Sequence, residues 1–162
     1  MDSTINLCLQ RAENELVLAN IIQRISQSEE MKKNVFQVAE DSTFYSAVIS
    51  HSYYAIFYSA KAYLISQGVK FVSKQGQHQK VHHEFTRLVK KGVIDKELLR
   101  IYDDAKMRAE TLLEIIKEER KKRTEFTYEK LPQANQQPAQ DSLTNASLFV
   151  TNMAEFVKAQ KQ

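Results

Sequence analysis

Glycine and proline are scarce in this chain, which has three glycines and two prolines among its 162 residues. So few turn-forming residues argue against many short strands and favour long helices. The single cysteine, Cys8, excludes an internal disulfide framework and a zinc site built from cysteines. The chain is long enough for a hydrophobic core, and we expect one domain over residues 1–162.

Membrane and export signals are also lacking. No segment is long and apolar enough to suggest a membrane span. The N-terminal residues MDSTINLCLQRAE show no basic region before an apolar one, so no secretory signal is visible. We therefore expect a cytoplasmic protein with no membrane partner. The net charge of +3 is mild, and it permits a nucleic-acid partner without arguing for one.

One stretch, residues 41–68, predicts a long helix that is apolar on nearly every side. Such a helix lies in the middle of a core with other helices around it. Asp41 and Ser42 are candidate N-caps, and Gly68 suits the position after the helix end, where φ is positive. Tyr54 and Phe57 are expected in the core. Tyr53 and Tyr58 are compatible either with core packing or with a stacking surface for a base.

The remaining segments complete an all-α fold, an up-and-down helical bundle of about five helices. Apolar periodicity predicts a first helix over 4–28, with Glu13 and Glu15 facing solvent. Residues 29–40 fit a helix extension, a short helix or a loop, with Val35, Phe36 and Val38 packed under a neighbour. Further helices are predicted over 77–91, from Asp95 to about 123–128, and from a cap at Asp141 onward, after a linker over 129–140.

Histidines and a basic run are the candidate functional residues. His78 and His82 are one helical turn apart and could hold a metal, but no H-E-x-x-H motif is present. We expect no metal and no cofactor, with His78 capping or anchoring its helix and His82 and His83 on the surface. His51 is typical of a hydrogen-bonded histidine in a core. The run Arg120-Lys121-Lys122-Arg123 fits a phosphate-binding site or a solvated helix end.

The central stretch has a familiar pattern. Ser52-Tyr53-Tyr54-Ala55-x-Phe57, followed by Ala60, Leu64 and Gly68, resembles the signature helix of HEPN domains. That family has a His, a Val and a Phe opening the next helix, and the matching residues here are His78, Val81 and Phe85. The similarity covers about residues 5–160, with the closest match over 50–92.

The resemblance implies four or five helices and a role with RNA or nucleotides, often as a toxin paired with a nucleotidyltransferase antitoxin. It also implies a homodimer. The family's catalytic Arg is followed four to six residues later by a His. The matching arginine is Arg123, but Thr127 or Tyr128 stands where the His is expected. In some family members a tyrosine near this motif accepts AMP, and Tyr128 is the matching candidate.

Three hypotheses follow. The first is a module that binds nucleotide or RNA phosphate through Arg120, Lys121, Lys122 and Arg123, with His51, Tyr53, His78 and Tyr128 as further binding residues. The second is a metal-independent endoribonuclease toxin in which Arg123 is catalytic and a histidine from the second or third helix carries the proton. The third is a non-catalytic module that binds a protein such as a nucleotidyltransferase.

Overall fold

The computed structural model describes residues 3–73, 75–122 and 136–160 and is all-α over these ranges. A short π-helical turn, Met31–Val35, follows the first helix. The five α-helices are α1 (Ser3–Gln27), α2 (Tyr45–Ser66), α3 (Gln77–Lys90), α4 (Lys96–Lys122) and α5 (Gln136–Ala159). None of the helices in the described ranges has both the length and the apolar character needed to cross a membrane.

The centre of the bundle is α2, which packs against all four other helices. One core cluster joins all five helices, and its members include Cys8, Ile56, Phe57, Leu64, Val81, Phe85, Ile101, Tyr102, Phe149 and Met153. A helix apolar on nearly every side can bury most of its circumference only when neighbours surround it. The prediction for residues 41–68 is therefore confirmed in its main point.

The two ends of α2 compare differently with the prediction. At the C-terminal end, Gly68 has φ +82°, and its N–H and that of Val69 bond to Ile65 and Leu64 carbonyls at 2.9 and 3.0 Å. This is the Schellman arrangement, which only glycine adopts without strain. At the N-terminal end, the helix starts at Tyr45 after Phe44, so the predicted caps Asp41 and Ser42 are wrong.

The start of α2 is fixed by contacts with the segment before it. The Ser26 hydroxyl of α1 accepts a hydrogen bond from the Phe44 backbone N–H at 2.9 Å, and the buried Lys32 ammonium donates to the Glu40 carbonyl. These bonds turn residues 39–44 across the end of α1 before helix geometry begins. Val35 and Phe36 are exposed, so their predicted packing under a neighbour is also wrong.

The last helix begins at Gln136, five residues before the predicted cap Asp141. Pro138 lies in its first turn, where a missing N–H costs nothing because those groups have no partner within the helix. Asp141 instead accepts a side-chain hydrogen bond from Gln137 at 2.9 Å. The predicted cap Asp95 is confirmed, since its carboxylate accepts the Glu97 N–H at 2.7 Å.

Candidate nucleic-acid interface

Tyr53 of α2 and His78 of α3 form the centre of the candidate site. The Tyr53 hydroxyl lies 2.9 Å from His78 Nδ1. The imidazole stacks on Phe57, with ring centroids 3.9 Å apart and planes 13° apart. His78 is the second residue of α3 and is covered on its Phe57 side but exposed elsewhere, while Phe57 is buried in the core. Of the two roles predicted for His78, the structure shows the anchor, because the ring stacks at the start of α3. His78 makes no side-chain cap.

The protonation of this pair follows from its surroundings. Burial raises the pKa of Tyr53 to about 12, and the Glu110 charge and Tyr54 add to the rise. Burial also lowers the pKa of His78, helped by the nearby Lys61 ammonium. At neutral pH a phenol thus faces a neutral imidazole. We assign the phenol as donor to Nδ1, which leaves the ring proton of His78 on Nε2.

Aromatic and basic side chains surround the pair, of which Tyr54 and Lys80 are exposed and Lys61 and Phe71 are half-buried. Tyr54 meets His78 edge-on, with centroids 5.8 Å apart and planes at 76°. The ammonium groups of Lys61 and Lys80 lie 5.6 and 5.4 Å from the centre of the Phe71 ring. We call this group, Tyr54, Lys61, Phe71, His78 and Lys80, the α2–α3 surface. The first turn of α3 contributes no carboxylate to it.

Hydrogen bonds position the two lysines. Lys61 Nζ donates to Gln77 Oε1 at 2.7 Å, and Lys80 Nζ donates to the Lys70 carbonyl at 2.8 Å. Each ammonium has three N–H groups, so these bonds hold the side chain and leave further donors for an anion. The surface therefore presents rings and cationic donors together.

A second group lies on α3 and α4 next to Tyr53, whose ring centroid is 6.4 Å from that of Tyr102. His82 Nε2 is 2.6 Å from Asp103 Oδ1, and the His82 ring stands edge-on to Tyr102. Tyr102 is fully buried, and its hydroxyl has no hydrogen-bond partner among the described residues. Burial raises its pKa well above the usual range. His82 is half-buried and paired, whereas His83 is exposed as predicted.

His51 lies apart from this group. Its Nδ1 is 2.6 Å from Glu15 Oε2 of α1, and the other Glu15 oxygen is 3.0 Å from Arg11 Nε. Two residues along a helix correspond to about 200° of rotation, so His51 and Tyr53 face different neighbours. The structure brings Tyr53 and His78 together, but not His51. Glu15 is buried, which corrects its predicted exposure to solvent.

The basic run falls at the edge of the described chain. The backbone of Arg120, Lys121 and Lys122 belongs to α4, while Arg123 and Tyr128 lie outside the described residues. Glu110, whose charge acts on Tyr53, precedes Lys122 on the same helix. At 1.5 Å per residue, about 18 Å of helix axis separates them. The basic run and the α2–α3 surface therefore lie at different levels along α4.

Metal binding finds no support in the histidines. Within residues 3–73, 75–122 and 136–160, no group of three or more His, Cys, Asp or Glu side chains is placed to hold a metal ion. One ring nitrogen of each of these histidines already has a partner, since His78 Nδ1 meets Tyr53 and His82 Nε2 meets Asp103.

A polar cleft of about 500 Å³ lies near the C-terminal end of α1. Its lining includes the carboxylates of Glu29, Glu40 and Asp41 beside the buried Lys32. Three carboxylates around one ammonium repel a phosphate, so this cleft is a poorer candidate for nucleotide binding than the α2–α3 surface.

Sequence reasoning missed several members of the α2–α3 surface. Tyr54 was expected in the core but is 40% exposed. Lys61 follows Tyr54 by two helical turns and therefore shares its face, a spacing that could have identified it. Phe71 lies in the loop before α3 and Lys80 lies in the first turn of α3, and no periodicity relates them to α2. Phe57 is buried, as predicted.

Comparison with known proteins agrees with this architecture. A family model described as HEPN domain matches residues 23–156, which is most of the chain. No curated protein and no solved structure matches the chain. The matched range contains α2, α3, α4 and most of α5, and with them every described residue of the α2–α3 surface. The chain belongs to the HEPN domain family.

Proposed function

We propose that this protein binds single-stranded RNA, with bases stacking at Tyr54 and His78 and phosphates held by Lys61 and Lys80. Membership of the HEPN family makes it a nucleotide- or RNA-related module in general. The choice of RNA over a mononucleotide and the location on the α2–α3 surface are our proposal.

The observation that carries the proposal is the exposure of aromatic rings next to unneutralised lysines. Tyr54 is 40% exposed although it is a large apolar ring on the central helix. Its edge-on contact with His78 leaves ring surface free for a base, and base stacking on an aromatic side chain is independent of sequence. Lys61 and Lys80 make no ion pair among the described residues, so they can neutralise phosphates.

The spacing along α4 favours an oligonucleotide. We include Arg120, Lys121, Lys122 and Arg123 in the proposal as a second phosphate-binding region. Glu110, whose charge acts on Tyr53, and Lys122 of this run are about 18 Å apart along the helix axis, and we take this as the span of a ligand that contacts both regions. With phosphates about 3.4 Å apart along a stacked strand, this distance corresponds to about five nucleotides. A mononucleotide contacts one region only.

Fluorescence anisotropy with a labelled single-stranded oligoribonucleotide tests the proposal. Tyr54→Leu keeps an apolar side chain but removes the ring, so we expect about five- to fiftyfold weaker binding. Lys158→Met removes an exposed lysine at the end of α5 and serves as the matched control for Lys61→Met and Lys80→Met. Unchanged affinity in Tyr54→Leu and in both lysine variants would overturn the proposal.

A second candidate function, ribonuclease activity, is favoured by the Tyr53–His78 hydrogen bond. When His78 is protonated, its Nδ1–H donates to the Tyr53 oxygen. The exposed ring can then give its Nε2 proton to the 5′-oxygen as the P–O5′ bond breaks, which returns the imidazole to its neutral form. The substrate's own 2′-oxygen attacks phosphorus and its proton goes to solvent, which leaves a 2′,3′-cyclic phosphate. In this candidate Arg123 stabilises the charge on the phosphorus oxygens.

Cleavage of labelled total RNA distinguishes the two functions. A ribonuclease of this kind loses activity in His78→Gln and in Arg123→Ala while Lys158→Met remains active. Absence of cleavage by the wild type, in protein shown by mass spectrometry to carry no AMP on Tyr128, supports binding alone.

The wider setting remains part of the proposal. We infer a homodimer in the cytoplasm, within a toxin–antitoxin or defence-type system, with a nucleotidyltransferase as protein partner. The family match supports this setting only in general terms. Co-purification with a nucleotidyltransferase encoded by an adjacent gene would support it, and AMP transfer to Tyr128 by that partner would give the tyrosine its role. A purified pair that does not associate would contradict the partner assignment.

A further inference from the structure

The outer face of α1 carries three neighbouring aliphatic side chains that none of the described helices covers. Val17, Leu18 and Ile21 are 57, 40 and 46% exposed. The same helix buries Ala12, Glu15 and Ala19 against the bundle, so these aliphatics lie on the side away from the core. Single exposed aliphatics are ordinary on a protein surface, but three within little more than one turn form a patch.

Opposite charges lie at the two ends of this patch. Glu13 precedes it and Arg24 follows it, about three turns apart and therefore on the same edge of α1. About 16 Å of helix axis separates them, so they cannot pair with each other. Both side chains are exposed, and neither forms an ion pair among the described residues.

We propose that α1 of one molecule packs antiparallel against α1 of a second copy, with the two-fold axis near Leu18. When two residues face each other across an axis near position 18, their residue numbers add up to about 36. Glu13 of one copy then meets Arg24 of the other, and symmetry repeats the pair. Val17, Leu18 and Ile21 from both copies form the apolar centre, and the four charges form a polar rim.

A second copy fits this face better than an unrelated protein because the pattern is complementary to itself. Reversing the helix direction exchanges the acidic and basic ends and leaves the apolar centre in place. The inference rests on the homodimer of the proposed function and supplies its surface. The experiments that test it measure assembly rather than RNA binding. The proposed interface and the proposed RNA binding can therefore fail independently of each other.

Sedimentation equilibrium over a range of protein concentrations measures the association. Leu18→Glu places like charges on the two-fold axis, and we expect the dimer dissociation constant to rise more than tenfold. Leu148→Glu alters an exposed leucine of α5 and is the matched control, for which we expect no change. A wild type that stays monomeric at every concentration would overturn the proposal, as would equal effects of both substitutions.

Charge reversal tests the orientation. Glu13→Arg and Arg24→Glu each remove both intermolecular ion pairs and bring like charges together, so each weakens the dimer about threefold or more. The double variant restores opposite charges across the interface and recovers the wild-type constant. A double variant as weak as the single ones would contradict the antiparallel register.

Cross-linking locates the axis. Leu18→Cys places two thiols beside the two-fold axis, where oxidation links the copies through a disulfide. Leu7→Cys alters another exposed leucine of α1, about 16 Å along the helix from the axis, and its two thiols lie too far apart to join. A covalent dimer from Leu7→Cys and none from Leu18→Cys would overturn this register.

Discussion

Lys61 connects the aromatic and basic parts of the α2–α3 surface. Its ammonium donates to Gln77, lies near the Phe71 ring and helps to lower the pKa of His78. Burial is the larger cause of that shift and Lys61 the second. Because the folded-state pKa is below the ordinary 6.5, the unfolded chain binds more protons as pH falls through that value. The contribution of His78 to stability is therefore present above about pH 6.5 and lost at lower pH.

Lys61→Met tests this coupling by removing the charge while keeping a long side chain. We expect the pKa of His78 to rise toward 6.5 and the acid-side loss of stability to become smaller. NMR titration of the imidazole C–H signals measures the pKa directly. Lys80→Met is the control, since Lys80 lies on the same surface without being a cause of the shift. Equal shifts in both variants would show that Lys61 has no specific effect.

Tyr102 provides a test of core polarity. Its side chain is fully buried, and its hydroxyl has no hydrogen-bond partner among the described residues. Removing an unsatisfied buried hydroxyl relieves a desolvation cost, so we expect Tyr102→Phe to leave the free energy of unfolding unchanged or raise it by about 1 kcal/mol. Urea denaturation measures the change. A loss of about 1 kcal/mol or more would mean that the hydroxyl has a stabilising partner.

At the residue scale, sequence reasoning identified Phe57 as core but misplaced Tyr54 and Glu15. A helix that is apolar all round gives no periodic signal for the face that its neighbours leave uncovered. The exposure of Tyr54 therefore depends on how far the neighbouring helices extend over α2. Glu15 is buried because Arg11 and His51 satisfy its two oxygens. The pairing with His51 joins two helices and cannot be read from either one alone.

At the scale of elements, the Glu15–His51 contact connects α1 to α2. Glu15 is buried and accepts from both Arg11 and His51, so truncation leaves two polar groups without their shared partner. We expect Glu15→Ala to lower the free energy of unfolding by about 2–3 kcal/mol. Glu155→Ala, at an exposed position of α5, should change it by less than about 0.5 kcal/mol.

Urea denaturation of both variants provides the comparison. Similar small changes in the two proteins would mean that the Glu15 contacts contribute nothing net to the α1–α2 interface. A double-mutant cycle with His51→Ala would then separate the His51 contact from the Arg11 contact.

Helix boundaries were predictable where the backbone itself required a residue type. Gly68 closes α2 because its positive φ excludes most side chains, and Asp95 caps α4 with its carboxylate. The starts of α2 and α5 were missed for reasons that lie outside a capping pattern at Asp41, Ser42 or Asp141. A hydroxyl from α1 holds the first, and Pro138 is tolerated in the first turn of the second.

For the whole molecule, apolar periodicity and low glycine content were sufficient to predict a bundle of about five helices with residues 41–68 at its centre. The site was only partly predictable, since Tyr53 and His78 were named but their contact joins residues 25 positions apart. The rise of α4 puts about 18 Å of helix axis between Glu110, whose charge acts on Tyr53, and Lys122 of the basic run. This spacing links the fold to the proposed RNA ligand.

The salt dependence of RNA binding tests the central claim most directly. On a plot of the logarithm of the binding constant against the logarithm of salt concentration, each neutralised phosphate of a single strand contributes a slope of about −0.7. We expect the double variant Lys61→Met/Lys80→Met to bind more weakly and to have a slope shallower by about 1.4, with Lys158→Met matching the wild type. A double variant with the affinity and slope of the wild type would contradict RNA binding at the α2–α3 surface.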